Sequence, residues 1–293
     1  MTASIALAVE TIGKSAEAFR RLRPAYRDLL DFYEKVFVAQ EEARQFIHIE
    51  PISISAQVLS IKRKEGFPLV SPSEFRVDEN VSKDLLKSLC RIALQSNDTL
   101  KDAAEKLLHA LDAHKVDPAL LMNAFMNETS DDVIQAAEML DIAQQVLAFF
   151  LYHSIKPSLI VNTQHLSALL LDTGTQANGR CPICGHMPGI AMLEGQGERF
   201  VFCSFCWQKR RVQRLVCACC GSDAHPSLGY FYSEAEPEYR VDTCNQCRAY
   251  VKTIDARKLD RPLYPPLEQI CTLHLDIKAE EMGFTNPAYR MYW

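Results

Sequence analysis

The sequence predicts an α+β protein: an N-terminal helical domain, two small metal-binding ribbon modules and a C-terminal helix. Three observations carry this reading. Apolar residues recur at helical spacing through the first half of the chain. Four C-x-x-C pairs then fall between Cys181 and Cys247. Short β-like runs separate those pairs, as at Arg199 to Phe202 and Leu228 to Tyr232.

In order along the chain, Tyr26, Leu29, Leu30, Tyr33, Val36 and Phe37 mark one face of a helix that follows Pro24. Proline suits a first helical turn, where its missing N–H costs nothing. Pro51, Gly66, Pro68 and Pro72 break the pattern, so residues 49–80 are expected to be a connecting segment. Helical spacing returns at Ser82 and runs through Cys90, then repeats across 98–114, 116–126 and 130–155. Asp131 and Asp132 place negative charge where a helix dipole favours it. Pro157 is expected to interrupt, with an apolar helix resuming over 158–172. A small, polar stretch from Asp172 to Gly179 reads as a linker. The expected domains are therefore a helical one over 1–172, ribbons over 180–214 and 215–262, and a closing helix and tail over 263–293, the helix running from Leu267 to about Glu281.

Composition narrows the function classes. The 293 residues are 48% hydrophobic and 24% charged, with a net charge of −5. This is ordinary globular material and argues against disorder, against a general nucleic-acid binder and against an anionic-membrane binder. The N-terminal MTASIALAVE lacks the basic start of a signal peptide, and the longest apolar run, around Val146 to Tyr152, is too short to span a bilayer. A cytoplasmic location without membrane insertion is expected, and there disulfides are disfavoured.

Of eleven cysteines, all but Cys90 lie between Cys181 and Cys271. The pairs are Cys181/Cys184, Cys203/Cys206, Cys217/Cys220 and Cys244/Cys247. Two-residue spacing lets a tight turn aim both thiolates at one ion, and two such turns complete a tetrahedral site. The gap from Cys184 to Cys203 holds 18 residues and that from Cys220 to Cys244 holds 23, each suited to a hairpin between turns. The first turn of each set is followed by glycine, Gly185 and Gly221, while Trp207 and Arg248 follow the second turns. An arginine stands four residues before each second turn, Arg199 and Arg240. These matches read as an internal duplication, with two metal ions per chain, each held by four cysteines. Spacing does not separate iron from zinc, since both accept tetrahedral sulfur.

Lys209, Arg210, Arg211 and Arg214 follow the second turn as a basic run. Their plain role is to offset the net −2 of four thiolates on a divalent ion; their sharper role is to contact an acidic or phosphate-bearing partner. Cys219 is expected to be exposed, His186 and His225 to be surface histidines, and Cys90 and Cys271 to be small core residues. No pairing of nucleophile with base, phosphate-cradling glycine loop or H-E-x-x-H segment occurs, so no enzyme activity is expected.

Cys-Pro-Ile-Cys-Gly at 181–185, Arg199 with Cys-Ser-Phe-Cys at 203–206, Arg214 before Cys-Ala-Cys-Cys-Gly at 217–221, and Cys-Asn-Gln-Cys at 244–247 before Tyr250-Val-Lys resemble the FdhE family of formate dehydrogenase accessory proteins. The stretch Leu151 to Pro157, and Thr272 to Asp276 with Glu280, Glu281 and Gly283, are also similar, as more loosely are Leu29 to Glu42. Arg210 departs from the family, which usually carries an aromatic residue there. The resemblance implies rubredoxin-like modules and favours iron over zinc. It implies a maturation factor that binds the catalytic subunit of a molybdenum- or tungsten-dependent formate dehydrogenase. The alternatives are an iron-based electron-transfer protein and, less in keeping with the acidic composition, a zinc-ribbon nucleic-acid adaptor.

Overall fold

The computed structural model describes residues 2–127, 130–170 and 179–288, without the side chains of 2–5, Ser130 and His225. The expected linker at Asp172 to Gly179 thus lies outside the described residues except for its last glycine. Among the described residues the chain forms two compact units. The first holds residues up to Ser53 and Val70–His165; the second holds Ile54–Leu69 and the chain from Leu166 onward.

The first unit is helical. Helices α1 (Thr2–Leu22) and α2 (Arg27–Arg44) pack together, and α4 (Glu79–Ala93), α5 (Asp98–Asp112), α6 (Pro118–Met126), α7 (Ser130–Leu140) and α8 (Gln144–Ser167) follow α3 of the second unit in chain order. Local chemistry sets their starts. Asp78, Asn97 and Asp117 each accept a backbone N–H of the first turn of α4, α5 and α6, at 3.2, 3.0 and 2.8 Å. In α4 the residues Ser82, Leu85, Leu86, Leu89, Cys90 and Ala93 are buried, a helical stripe.

Two expectations fail here for identifiable reasons. The span 130–155 is not one helix: Asp141 adopts φ 50°, and Ile142 N–H bonds back to Ala137 O at 2.9 Å, which closes α7. Pro157 does not interrupt either, because α8 runs straight through it. Proline leaves the carbonyl four residues earlier without a helical donor. That carbonyl, His153 O, instead accepts Gln40 Nε2 at 2.8 Å. No single helix among the described residues is long and apolar enough to cross a membrane.

The second unit is a six-stranded sheet with helices on one face. Its strands are β1 (Pro188–Glu194), β2 (Glu198–Cys203), β3 (Lys209–Val212), β4 (Leu228–Tyr232), β5 (Tyr239–Cys244) and β6 (Tyr250–Asp255), in the order β3-β2-β1-β6-β5-β4. Each trio is an antiparallel meander. The trios join through parallel pairing of β1 with β6, from Ile190↔Lys252 to Leu193↔Asp255. The two expected ribbons therefore share one sheet and one core, in which Ala191 and Val201 of the first trio pack with Cys217, Cys219, Cys244 and Val251 of the second.

The sheet's other face is covered by α9 (Pro265–Ile270) and α10 (Leu273–Glu281), two helices where the sequence suggests one. Buried ion pairs fix them. Lys252 Nζ reaches Asp276 Oδ2 at 2.6 Å and Gln269 O at 2.6 Å, and Tyr250 OH donates to Asp276 Oδ1 at 2.9 Å. Arg261 grips the fully buried Glu268 through two hydrogen bonds, and Tyr239 OH donates to the same carboxylate at 2.6 Å. The expected connecting segment 49–80 also contains structure: α3 (Ala56–Glu65), started by Ser55 and ended by left-handed Gly66.

Candidate metal centres

All four C-x-x-C pairs build the same turn. The N–H of each first cysteine donates to the carbonyl five residues on: Cys181 to His186, Cys203 to Gln208, Cys217 to Ser222 and Cys244 to Ala249, at 2.7–3.1 Å. The residue after each second cysteine is left-handed, with φ 78° at Gly185, 60° at Trp207, 77° at Gly221 and 56° at Arg248. Glycine signalled only two of these positions in the sequence. The other two carry the same backbone with a side chain attached, which costs about 1–2 kcal/mol each relative to glycine. The turns hold that strain because the flanking strands fix both ends.

The turns converge in pairs. Cys181, Cys184, Cys203 and Cys206 form one group, and Cys217, Cys220, Cys244 and Cys247 the other, every Sγ within 4.8 Å of the others in its group. None of the eleven cysteines is in a disulfide. The shortest Sγ–Sγ separations are 3.3–3.6 Å in the first group and 3.7–3.9 Å in the second. A sulfur tetrahedron around an ion with bonds of about 2.3 Å has edges of about 3.8 Å. The donor sets therefore fit a four-thiolate ion, and both groups could hold one.

The two centres differ in access. All four cysteines of the first are buried, whereas Cys220 and Cys247 of the second are exposed. The first is covered by the segment after α3: Leu69 N–H donates to Pro182 O at 2.9 Å, and Pro68 lies against Gly185. His186, expected at the surface, is buried here and stacks on Phe205 with centroids 4.4 Å apart. The cover over the first turn comes from a segment more than a hundred residues away, which leaves no signal in the sequence around Cys181.

Cys219, expected to be exposed, is also buried. Its amide lies 3.4 Å from Cys217 Sγ. The Cys219 thiol and the amides of 219 and 220 hold the Cys217 thiol down to about 4, while Cys219 itself is pushed up by its thiolate neighbour and by burial. Cys219 thus donates to the sulfur of Cys217. Cys90 and Cys271 are fully buried, as the helical pattern suggested. His225 falls among the undescribed side chains.

The matched arginines meet at one carboxylate. Asp242 Oδ2 accepts Arg199 Nη2 at 2.8 Å and Thr253 Oγ1 at 2.6 Å, and Asp242 Oδ1 lies 2.9 Å from Arg240 Nε. Arg199 is 4% exposed and also donates to Val216 O, the residue before Cys217, at 2.9 Å. A strand that ends in the first centre is thereby pinned to both turns of the second. Arg199, Val216, Arg240 and Asp242 line a cavity of about 360 Å³ that also touches Cys217, Cys244 and Arg214. Three guanidinium groups against one carboxylate leave a cation surplus beside the thiolates.

The basic run spreads over both faces of edge strand β3. Lys209 pairs with Glu194 at 2.6 Å and Arg211 with Glu198 at 3.2 Å on one side. Arg210, on the opposite side by strand alternation, turns inward and donates to Gly179 O. Burial lowers its pKa while Cys181, Cys203 and Cys219 pull it back up. Gly179 in turn packs on the Cys219 carbonyl so tightly that a β-carbon would lie 2.1 Å from its oxygen. Arg214 is exposed and borders the cavity.

No protein-family model matches the chain. It is 26% identical over 266 residues to the protein FdhE homolog of Aquifex aeolicus, covering 89% of this chain and 87% of that one. It is 22% identical over 269 residues to the protein FdhE homolog of Glaesserella parasuis, covering 90% and 82%. The crystal structure of the FdhE protein from Pseudomonas aeruginosa superimposes with a TM-score of 0.67 at 18% identity, covering 96% of this chain and 94% of that one. By sequence along most of its length, and by fold along nearly all of it, the chain is similar to the FdhE proteins.

Proposed function

We propose that this chain is a formate dehydrogenase accessory protein that acts in the cytoplasm without catalysing a reaction itself. It would bind the catalytic subunit of a molybdenum- or tungsten-dependent formate dehydrogenase before that enzyme is complete. The carrying observation is similarity to FdhE homologues along almost the whole chain, the cysteine turns included. The two groups of four cysteines would hold one ion each, iron in preference to zinc by the resemblance of the turns. When bound, each ion would tie the two cysteine turns of its own meander together through metal–thiolate bonds. The chain's own residues shape the rest: Cys219 donates to a ligand sulfur, Arg199 fastens one centre to the other, and Glu268 and Asp276 anchor the covering helices. Lys209, Arg211 and Arg214, exposed along the edge of β3, are the proposed partner contacts, with Arg210 supporting that strand from beneath.

The test compares a freshly made catalytic subunit lacking its cofactors with the mature enzyme, by calorimetry. Tighter binding to the immature form is expected. Lys209→Glu with Arg211→Glu should weaken it while leaving two ions in place, with an effect that shrinks at high salt. Equal affinity for both forms would favour an electron carrier. Normal formate dehydrogenase activity in cells lacking the chain would end the maturation reading.

A further inference from the structure

The two centres, alike in ligand set and turn geometry, differ in what can reach them, and the difference has chemical consequences. Thiolate-bound ions leave protein sites by ligand replacement, which requires an incoming donor to touch the ion from outside. In the first centre the four cysteines are at most 4% exposed, with Pro68 and Leu69 seated over the first turn. In the second centre Cys217 and Cys244 face inward and are buried, but Cys220 and Cys247 are exposed. The two exposed ligands come from different turns, one before β4 and one after β5. An outside donor therefore meets one edge of the sulfur tetrahedron, and two ligands can be exchanged while Cys217 and Cys244 retain the ion. The inner pair is also the better held: Cys217 Sγ lies within 3.5 Å of the amides of 219 and 220, and Cys244 closes β5.

We infer that the second centre is an exchange site, which takes up or gives up its ion through a thiol-bearing carrier, and that the first is a permanent clasp. In each step the incoming thiol gives its proton to the departing Sγ of Cys220 or Cys247, and its sulfur takes the position that Sγ leaves. One metal–sulfur bond breaks and one forms. Ion and sulfurs keep their oxidation states, and the net charge of the four-thiolate centre is unchanged. The inference stands apart from the accessory role, since it concerns only this chain and its ions.

The experiment uses the full chain loaded with Zn²⁺, challenged with excess glutathione and a chromophoric chelator that reports free zinc. Samples are quenched with iodoacetamide, and the labelled cysteines are located by mass spectrometry. Release in two phases of one ion each is expected, the first about ten-fold or more faster. Early label should fall on Cys220 and Cys247. Cys247→Ser should keep one ion and lose the fast phase. Pro68→Gly with Leu69→Ala, which loosens the cover without touching a ligand, should speed the slow phase and leave the fast one alone. Release of both ions in a single phase, early label on Cys184 or Cys206, or failure to hold two ions would each overturn the assignment.

Discussion

Single residues in the first unit carry functions that only their neighbours reveal. Gln40 repairs the backbone at Pro157 and also places Nε2 3.0 Å from the Nδ1 of half-buried His153. Burial holds His153 well below the usual imidazole range, so it stays neutral and its Nδ1 accepts. One turn on, Lys156 is 3% exposed, with Nζ 5.0 Å from the centre of the Phe37 ring. Burial pulls its pKa down to about 7, opposed by Glu41. Between about 7 and its unfolded value of about 10.4, the unfolded chain holds a proton that the folded chain lacks. Stability therefore rises with pH through that window, and the burial penalty is full below it. Lys156→Met should raise the thermal midpoint at pH 6.5, with a gain that shrinks toward pH 10; Glu41 keeps its ion pair with Arg44. A gain independent of pH across that range would show that Lys156 titrates normally.

At the scale of elements, the sheet is held from two sides by different chemistry. Strand β6 is buried along its length, with Tyr250, Lys252 and Ile254 on one face and Val251 and Thr253 on the other. The first face meets α9 and α10 through charges, the second meets the cysteine turns through Val251 and the Thr253–Asp242 bond. Asp276→Asn would leave Lys252, 2% exposed, without its counter-ion, at a cost of about 3–5 kcal/mol. Lys252→Met with Asp276→Leu should recover part of that, because two apolar side chains need no partner, while Tyr250 OH and Gln269 O lose theirs. Urea unfolding of the single and double variants checks this; equal losses in both would assign the cost to packing instead. Edge strand β3 is guarded differently, by Lys209, Arg210 and Arg211, whose charges discourage further strand pairing.

For the molecule as a whole, metal loading is expected to be coupled to the fold in one unit and separate from it in the other. The second unit gathers four turns whose sulfurs could hold two ions, and thiolates brought that close repel one another unless an ion offsets their charge. The first unit has an apolar core of its own, including Phe19, Leu30, Phe37, Leu86, Leu107 and Phe150. Two ions per chain are expected, with X-ray absorption showing sulfur alone at about 2.3 Å. Stripping both by chelation should expose the chain beyond Gly179 to protease while the helical circular dichroism largely persists. Cys90→Ser and Cys271→Ser should keep both ions, since neither sulfur belongs to a group. Loss of the helical signal together with the metal would show that the first unit depends on the second.

The sequence alone determined which cysteines lie together, because C-x-x-C spacing prescribes a turn and matched turns converge in pairs. It also determined the α+β succession and the positions of β2 and β4, since alternation and helical spacing are local properties. The matched arginines were visible too, though not their shared carboxylate. Tertiary structure decided the rest. Pro157 reads as a helix breaker until Gln40, far away in sequence, supplies the missing donor. Cys219 and His186 read as exposed until the core closes around them. The inequality of the two centres rests on Pro68 and Leu69 reaching one turn and on no comparable cover at Cys220 and Cys247 among the described residues. Periodicity encodes which face of an element is apolar; it does not encode which distant segment will cover it.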